Sequence, residues 1–187
     1  GKIDNIFPFD TSNITFPQIL HDKGYQTAMF GKLHFGNNPR GFDEFKILPG
    51  QGDYYNPDFI TNTGDTTIQG YVTDIITDLT IDWFENRYTA EKPFMLFYLH
   101  KAPHREWLPA PRHYKEFTKR SFPEPPTLFD NYEGRGTAAR EAEMNLLEHM
   151  TVSADNKIYP ELAKELGFEE MSEWGFRVFD QKYSRFT

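Results

Sequence analysis

The sequence predicts an α/β fold, a doubly wound sheet covered by helices. Two observations carry that prediction. An amphipathic helix followed by an apolar strand occurs twice, and each strand runs straight into a short polar cluster holding Lys and His. Helices and strands in alternation build parallel sheets with both faces covered.

The first unit opens at Thr15-Phe16-Pro17-Gln18. Thr15 can cap a helix, Gln18 can return the capping-box bond, and Pro17 sits where a missing N–H costs little. Ile19 and Leu20 supply an apolar face, and Gly24 suits the position just past the helix end. Residues 25–30 then read as a short buried strand entering Gly31-Lys32-Leu33-His34-Phe35-Gly36. In the second unit Val72, Ile75, Ile76, Leu79 and Trp83 fall at i, i+3, i+4, i+7 and i+11, one face of a helix of about 17 residues. Asp74, Asp78 and Asp82 occupy another, solvated face. Lys92-Pro93 breaks this helix. Residues 94–99 follow as a strand apolar on both faces, the pattern of a sheet centre, and end in His100-Lys101-Ala102-Pro103-His104-Arg105-Glu106-Trp107.

Between the units, residues 36–62 carry Gly, Pro, Asn and Asp at turn frequency and read as a loop, either packed or functional. Pro103, Pro109, Pro111, Pro123, Pro125 and Pro126 exclude regular helix and central strand, so residues 105–137 read as an extended surface segment. Residues 138–150, 160–166 and 171–183 read as helices, which makes 138–187 a helical segment. Two strands make no stable open sheet and no third stands out. Residues 1–187 are therefore read as part of a single, larger α/β domain.

Composition narrows the function. Twenty Lys and Arg against 28 Asp and Glu leave a net charge of −8, which disfavours a nucleic-acid partner. The aromatic share of 17 % argues against disorder. The longest apolar run, residues 94–99, is far short of the roughly 20 residues of a membrane helix, and no basic-then-apolar leader opens the chain. With no cysteine, a disulfide framework, a thiolate zinc site and a cysteine nucleophile are excluded within these residues. Asn13-Ile14-Thr15 is a glycosylation sequon of a length that chance supplies often.

Both polar clusters follow buried strands, where ligands of open α/β sheets bind. Lys32 and His34 alternate across Leu33, which points both side chains to one side. Lys brings a fixed positive charge and His a proton that moves near neutral pH. His104 can join them from the neighbouring strand end. Such a set, without a carboxylate, suits an anionic group whose ester oxygen needs protonating. Lys101, Arg105 and Trp107 are candidate substrate contacts by anion pairing or sugar stacking. Gln51 and Asp53, in Gly50-Gln51-Gly52-Asp53, are candidates for the pocket mouth. His100, on the face opposite Lys101, reads as structural, and Glu141, Glu143 and Glu148 as a solvated helix face.

These segments carry a family resemblance. Gly31-Lys32-Leu33-His34-Phe35-Gly36 resembles the second signature of type I, formylglycine-dependent sulfatases, and Gly24-Tyr25-Gln26-Thr27 resembles its lead-in. Gly41-Phe42-Asp43 resembles the segment that follows, and Lys101-Ala102-Pro103-His104 the strand-end histidine of the sulfate site. Pro49-Gly50-Gln51-Gly52-Asp53-Tyr54-Tyr55-Asn56-Pro57 resembles the N-acetylglucosamine-6-sulfatase and heparan-sulfatase branch. The likeness extends over residues 13–115, with the segments in family order.

The resemblance implies a section of an alkaline-phosphatase-like mixed sheet. It also implies a sulfuric ester hydrolase acting on a sulfated sugar, such as 6-O-sulfated N-acetylglucosamine of a glycosaminoglycan or mucin-type glycan. Lys32 would bind the sulfate and the catalytic aldehyde hydrate, His34 would take a proton when the sulfated hydrate collapses, and His104 would protonate the departing sugar oxygen. A periplasmic, secreted or lysosomal location follows from the same likeness. The family's nucleophile arises from Cys or Ser in a Cys/Ser-x-Pro-x-Arg motif, which this chain lacks. Its nearest match, Ser121-Phe122-Pro123-Glu124-Pro125, has Pro in place of Arg and lies downstream of Lys32 and His34. Calcium is implied for the complete enzyme, with ligands outside these residues. The chain thus reads as a middle section, inactive alone and needing the rest of a sulfatase to complete its fold. Two alternatives stand beside this: a phosphodiesterase or phosphonate hydrolase of the same superfamily, and a non-catalytic, sulfatase-like binder of anionic glycans.

Overall fold

A computed structural model describes residues 7–105, 107–113, 116 and 120–143. The chain divides into two compact units, Gly1–His104 and Arg105–Thr187.

In the first unit the elements are α1 (Phe16–Asp22), β1 (Gln26–Lys32), β2 (Glu44–Leu48), β3 (Asp58–Thr61), β4 (Gly64–Thr67), α2 (Val72–Asn86) and β5 (Phe94–Leu99). The strands form one sheet in the order β4-β3-β2-β1-β5. β1 runs parallel to β2 and β5, whereas β3 is antiparallel to both β2 and β4. The sheet is mixed.

α1 starts where its sequence directs. Gln18 Oε1 accepts the Thr15 backbone N–H at 3.1 Å, and Pro17 occupies the first turn. β1 forms the floor of the core, with Ala28, Met29 and Phe30 at most 1 % exposed. Its register on β2 is clamped at the start. Asp43 Oδ2 accepts from Thr27 N at 2.8 Å and from Thr27 Oγ1 at 3.1 Å, while Asp43 N donates to Thr27 Oγ1 at 2.9 Å. These bonds explain why Thr27, at the start of β1, and Asp43, just before β2, belong together.

Helices pack on both faces of the sheet. Phe97 meets Phe16 of α1 and Phe42 on one face. Phe94 and Tyr98, which alternate with Phe97, meet Trp83 and Thr77 of α2 on the other. α2 spans 15 residues, close to its periodicity.

The structure corrects the sequence in two places within this unit. The segment read as a loop, residues 36–62, contains β2 and β3, and β4 follows directly. β2 shows the alternation of a half-buried strand, with Phe45 and Ile47 inward and Glu44 paired to Lys46 at 2.7 Å, but it is only five residues long. β4 has every residue exposed and so carries no apolar signal. The second correction concerns β5, which lies at the edge of the sheet among the described residues, with Phe94 44 % and Tyr98 42 % exposed. Its two apolar faces serve α2 on one side and α1 on the other.

In the second unit, Pro111–His113 form a 3-10 turn and residues 120–136 are turns and extended chain. A short helix, α3 (Thr137–Arg140), ends at Glu141 rather than continuing through the described residues that follow. The carboxylates of Glu141 and Glu143 fall at its carboxyl end, where the helix dipole disfavours negative charge. Residues 144–150 and the helices expected at 160–166 and 171–183 lie outside the described residues.

Candidate active site

β1 has parallel neighbours on both sides, and the chain leaves β2 through β3, β4 and α2 to return on the far side of β1 as β5. The crevice beyond the carboxyl ends of β1 and β5 is therefore a topological switch point, the usual ligand position in open α/β sheets. Gly31 makes the close approach possible. It pairs with Leu99 at φ +115°, and a Cβ on it would lie 1.7 Å from the Leu99 carbonyl oxygen.

Leu33 packs against the core of Met29, Phe45 and Ile47, which leaves Lys32 and His34 on the other side of the chain. There both meet Gln51. Lys32 Nζ donates to Gln51 Oε1 at 2.5 Å, and Gln51 Nε2 lies 3.3 Å from His34 Nδ1. Lys32 is half-buried, and burial pushes its ammonium below the ordinary lysine value. Its hydrogen-bond partner among the described residues is a neutral amide.

The loop carrying Gln51 also grips the end of β5. Gly52 N donates to the Pro49 carbonyl at 2.9 Å to close a turn, and Gly52 sits at φ +68° with Leu48 where a Cβ would be. Lys101, only 5 % exposed, donates from Nζ to the Gln51 carbonyl at 3.2 Å and lies 4.7 Å from the centre of the Tyr54 ring. Tyr54 OH donates to the His104 carbonyl at 2.6 Å, and His104 N donates to the Lys101 carbonyl at 2.9 Å. One loop thus fixes both strand ends.

Of the residues singled out from sequence, Lys32, His34 and Gln51 come together directly. His104 is exposed on the adjacent turn, its backbone held by Tyr54, and Asp53 is half-buried in the gripping loop. Lys101 is placed differently from a substrate contact, since its ammonium is buried against Tyr54 and Gln51. Arg105 and Trp107 are exposed and belong to the second unit. His100 packs edge-on to Tyr98 at 4.3 Å; its Nδ1 is buried with no hydrogen bond among the described residues, and burial lowers its pKa. Sequence reasoning missed Tyr54, whose only signal was an aromatic residue inside a Gly-rich polar loop. It also missed Asp43 as the clamp on Thr27.

A cavity of about 340 Å³ lies elsewhere, lined by Phe16, Met29, Leu33, Phe35, Phe42 and Phe97 among others. Its apolar wall suits packing rather than an anion. Among the described residues no three His, Cys, Asp or Glu converge as metal ligands. They do not fit a calcium ion. No described helix is long and apolar enough to cross a membrane.

Comparison with known proteins gives the family. A family model described as "Sulfatase" matches residues 7–156. An N-acetylglucosamine-6-O-sulfatase of Bacteroides thetaiotaomicron is 50 % identical over 161 residues, 84 % of this chain and 29 % of that protein. An uncharacterized sulfatase of Escherichia coli, YdeN, is 29 % identical over 119 residues, 47 % of this chain and 21 % of that protein. Among solved structures, BT4656 in complex with its substrate D-glucosamine-2-N,6-O-disulfate superposes with a TM-score of 0.76 and 42 % identity, over 97 % of this chain and 39 % of that one. The chain spans about a third of the length of these relatives. The family model covers most of the chain, and the chain belongs to the sulfatase family.

Proposed function

We propose that this chain contributes the sulfate-binding strand ends of an enzyme that hydrolyses sulfate esters of amino sugars, with 6-O-sulfated N-acetylglucosamine as the substrate unit. The observation that carries the reading is Lys32: a half-buried ammonium with a neutral partner at the switch point. The half-identical relative and the sulfated sugar bound by BT4656 support the choice of substrate class. A periplasmic, secreted or lysosomal location belongs to the same proposal.

The residues present divide the work by chemistry. A sulfate ester carries its negative charge on the non-bridging oxygens, and a fixed ammonium at low effective dielectric holds that anionic group while the electron pair of the breaking S–O bond passes to the bridging oxygen. The departing sugar oxygen leaves as an alkoxide unless it is protonated, and a positioned acid contributes about 10²–10⁴-fold. His104 is the candidate acid, since its turn is fixed by Tyr54 while its side chain stays exposed. The chain holds neither Cys nor a Ser-x-Pro-x-Arg segment, and no step through the nucleophile or a metal is derived from these residues.

The test uses the full-length protein. His104→Ala should cost about 10²-fold or more on a sugar sulfate and far less on an activated aryl sulfate, whose leaving group needs little help. Lys32→Ala should damage both substrates alike. Equal losses in the His104 variant would remove it from the acid role. Hydrolysis of phosphodiesters but not sulfates, or glycan binding without turnover, would overturn the reading. The 187-residue chain alone should show no sulfate-ester hydrolysis above its own Lys32→Ala control.

A further inference from the structure

We propose that Gln51 is a positioning residue whose side-chain amide couples Lys32 to His34 and holds the imidazole hydrogen on Nε2. An ammonium has three donors and no acceptor, so the amide meets Lys32 Nζ through Oε1, at 2.5 Å. The other end of the amide is then determined. Its NH₂ lies 3.3 Å from His34 Nδ1, and a donor aimed at Nδ1 requires a lone pair there. The neutral ring must therefore carry its hydrogen on Nε2. Turning the amide over would set NH₂ against an ammonium.

The loop is built to hold Gln51 in this pose. Lys101 Nζ grips its carbonyl at 3.2 Å, the Pro49–Gly52 turn closes at 2.9 Å, and Gly50 and Gly52 take the left-handed conformations of φ +54° and +68° that the turn requires. Lys32 thus sets the amide, the amide sets the tautomer, and the tautomer sets what His34 offers. With Nδ1 accepting from Gln51, Nε2 carries the hydrogen that His34 can donate toward an anionic oxygen. This use of Nε2 rests on the sulfatase reading, whereas the tautomer does not.

The test is a long-range ¹⁵N–¹H correlation spectrum of the full-length protein labelled with ¹⁵N-histidine, His34 being assigned by its loss in His34→Asn. The wild type should show one neutral form, protonated on Nε2 with Nδ1 bare. Gln51→Glu places an acceptor at Nδ1 and should bring a hydrogen there. Gln51→Met, which removes the amide but keeps its length, should give a mixture of tautomers. The other charged groups of these strand ends, Lys32, Asp53, Lys101 and His104, are the same in all three proteins. A wild-type ring protonated on Nδ1, or a His34 spectrum unmoved by Gln51→Glu in folded protein, overturns the proposal. In the same samples, the expected tautomers without sulfate-ester turnover would strike the functional reading and leave Gln51's role standing.

Discussion

The ends of β1 and β5 are parallel, hydrogen-bonded neighbours, and each offers a Lys followed shortly by a His. They use the lysine in opposite ways. Lys32 is half-buried with its charge facing a neutral amide, whereas Lys101 is 5 % exposed and spends its charge on a carbonyl oxygen and the Tyr54 ring. The difference is made by a single loop, which turns the Gln51 side chain toward β1 and its backbone toward β5. Under the function proposed above, Lys32 is the lysine that meets the anion, because its hydrogen-bond partner among the described residues is neutral. The other becomes part of the frame.

The largest effect tests whether the two ends must touch. Gly31→Ala puts a methyl into the Leu99 carbonyl and should cost on the order of 3–5 kcal/mol or prevent folding, read by thermal or urea denaturation. Next comes the contrast between lysines. Lys101→Met loses a charge-assisted hydrogen bond and a cation–π contact and should cost about 2–4 kcal/mol, while Lys32→Met should stay within about 0.5 kcal/mol of wild type in the same melts. Equal destabilisation by both would erase the distinction. Tyr54→Phe removes one short bond to the His104 carbonyl and should cost about 1 kcal/mol, visible as a lower midpoint. It should also loosen the turn, seen as faster amide exchange at His104.

The smallest effect is a pH dependence. Burial lowers the pKa of His100 from its ordinary 6.5. Above that value both folded and unfolded chains hold it neutral, and its contribution to stability is complete. As pH falls below 6.5 the unfolded chain takes the proton first, so stability declines until pH reaches the folded value. His100→Gln should flatten the melting temperature profile between pH 7 and 5 by less than one proton's worth of slope. An unchanged slope would mean that His100 does not titrate differently on folding.

The parts of the fold written in local patterns were legible before the structure. Thr15 with Gln18 marks a helix start, the i, i+3, i+4 spacing of Val72, Ile75 and Ile76 marks a helix face, the short apolar stretch Ala28-Met29-Phe30 marks β1 and the unbroken run 94–99 marks β5. β2, β3 and β4 were not legible because their identity lies in pairing. β4 buries nothing, and its hydrogen bonds to β3 alone make it a strand. The site divides the same way. Residue type and spacing pointed to Lys32 and His34, but nothing local tells Lys101 from Lys32. Burial beneath Tyr54, 47 residues away in the chain, is a tertiary fact. Gln51 was visible as a polar residue between glycines, and its contact with both members of the Lys-x-His pair was not.

The most direct measurement is the binding of 6-O-sulfated glucosamine by isothermal titration to the full-length protein and to its Lys32→Met and Lys101→Met variants, at a temperature where circular dichroism shows all three folded. Lys32→Met should weaken binding at least tenfold, about 1.4 kcal/mol, because it removes the ammonium that faces a neutral amide at the switch point. Lys101→Met should bind within about threefold of wild type, about 0.7 kcal/mol, despite its lower melting temperature. Losses of equal size, or a larger loss in Lys101→Met, would contradict the division of labour between the two strand ends.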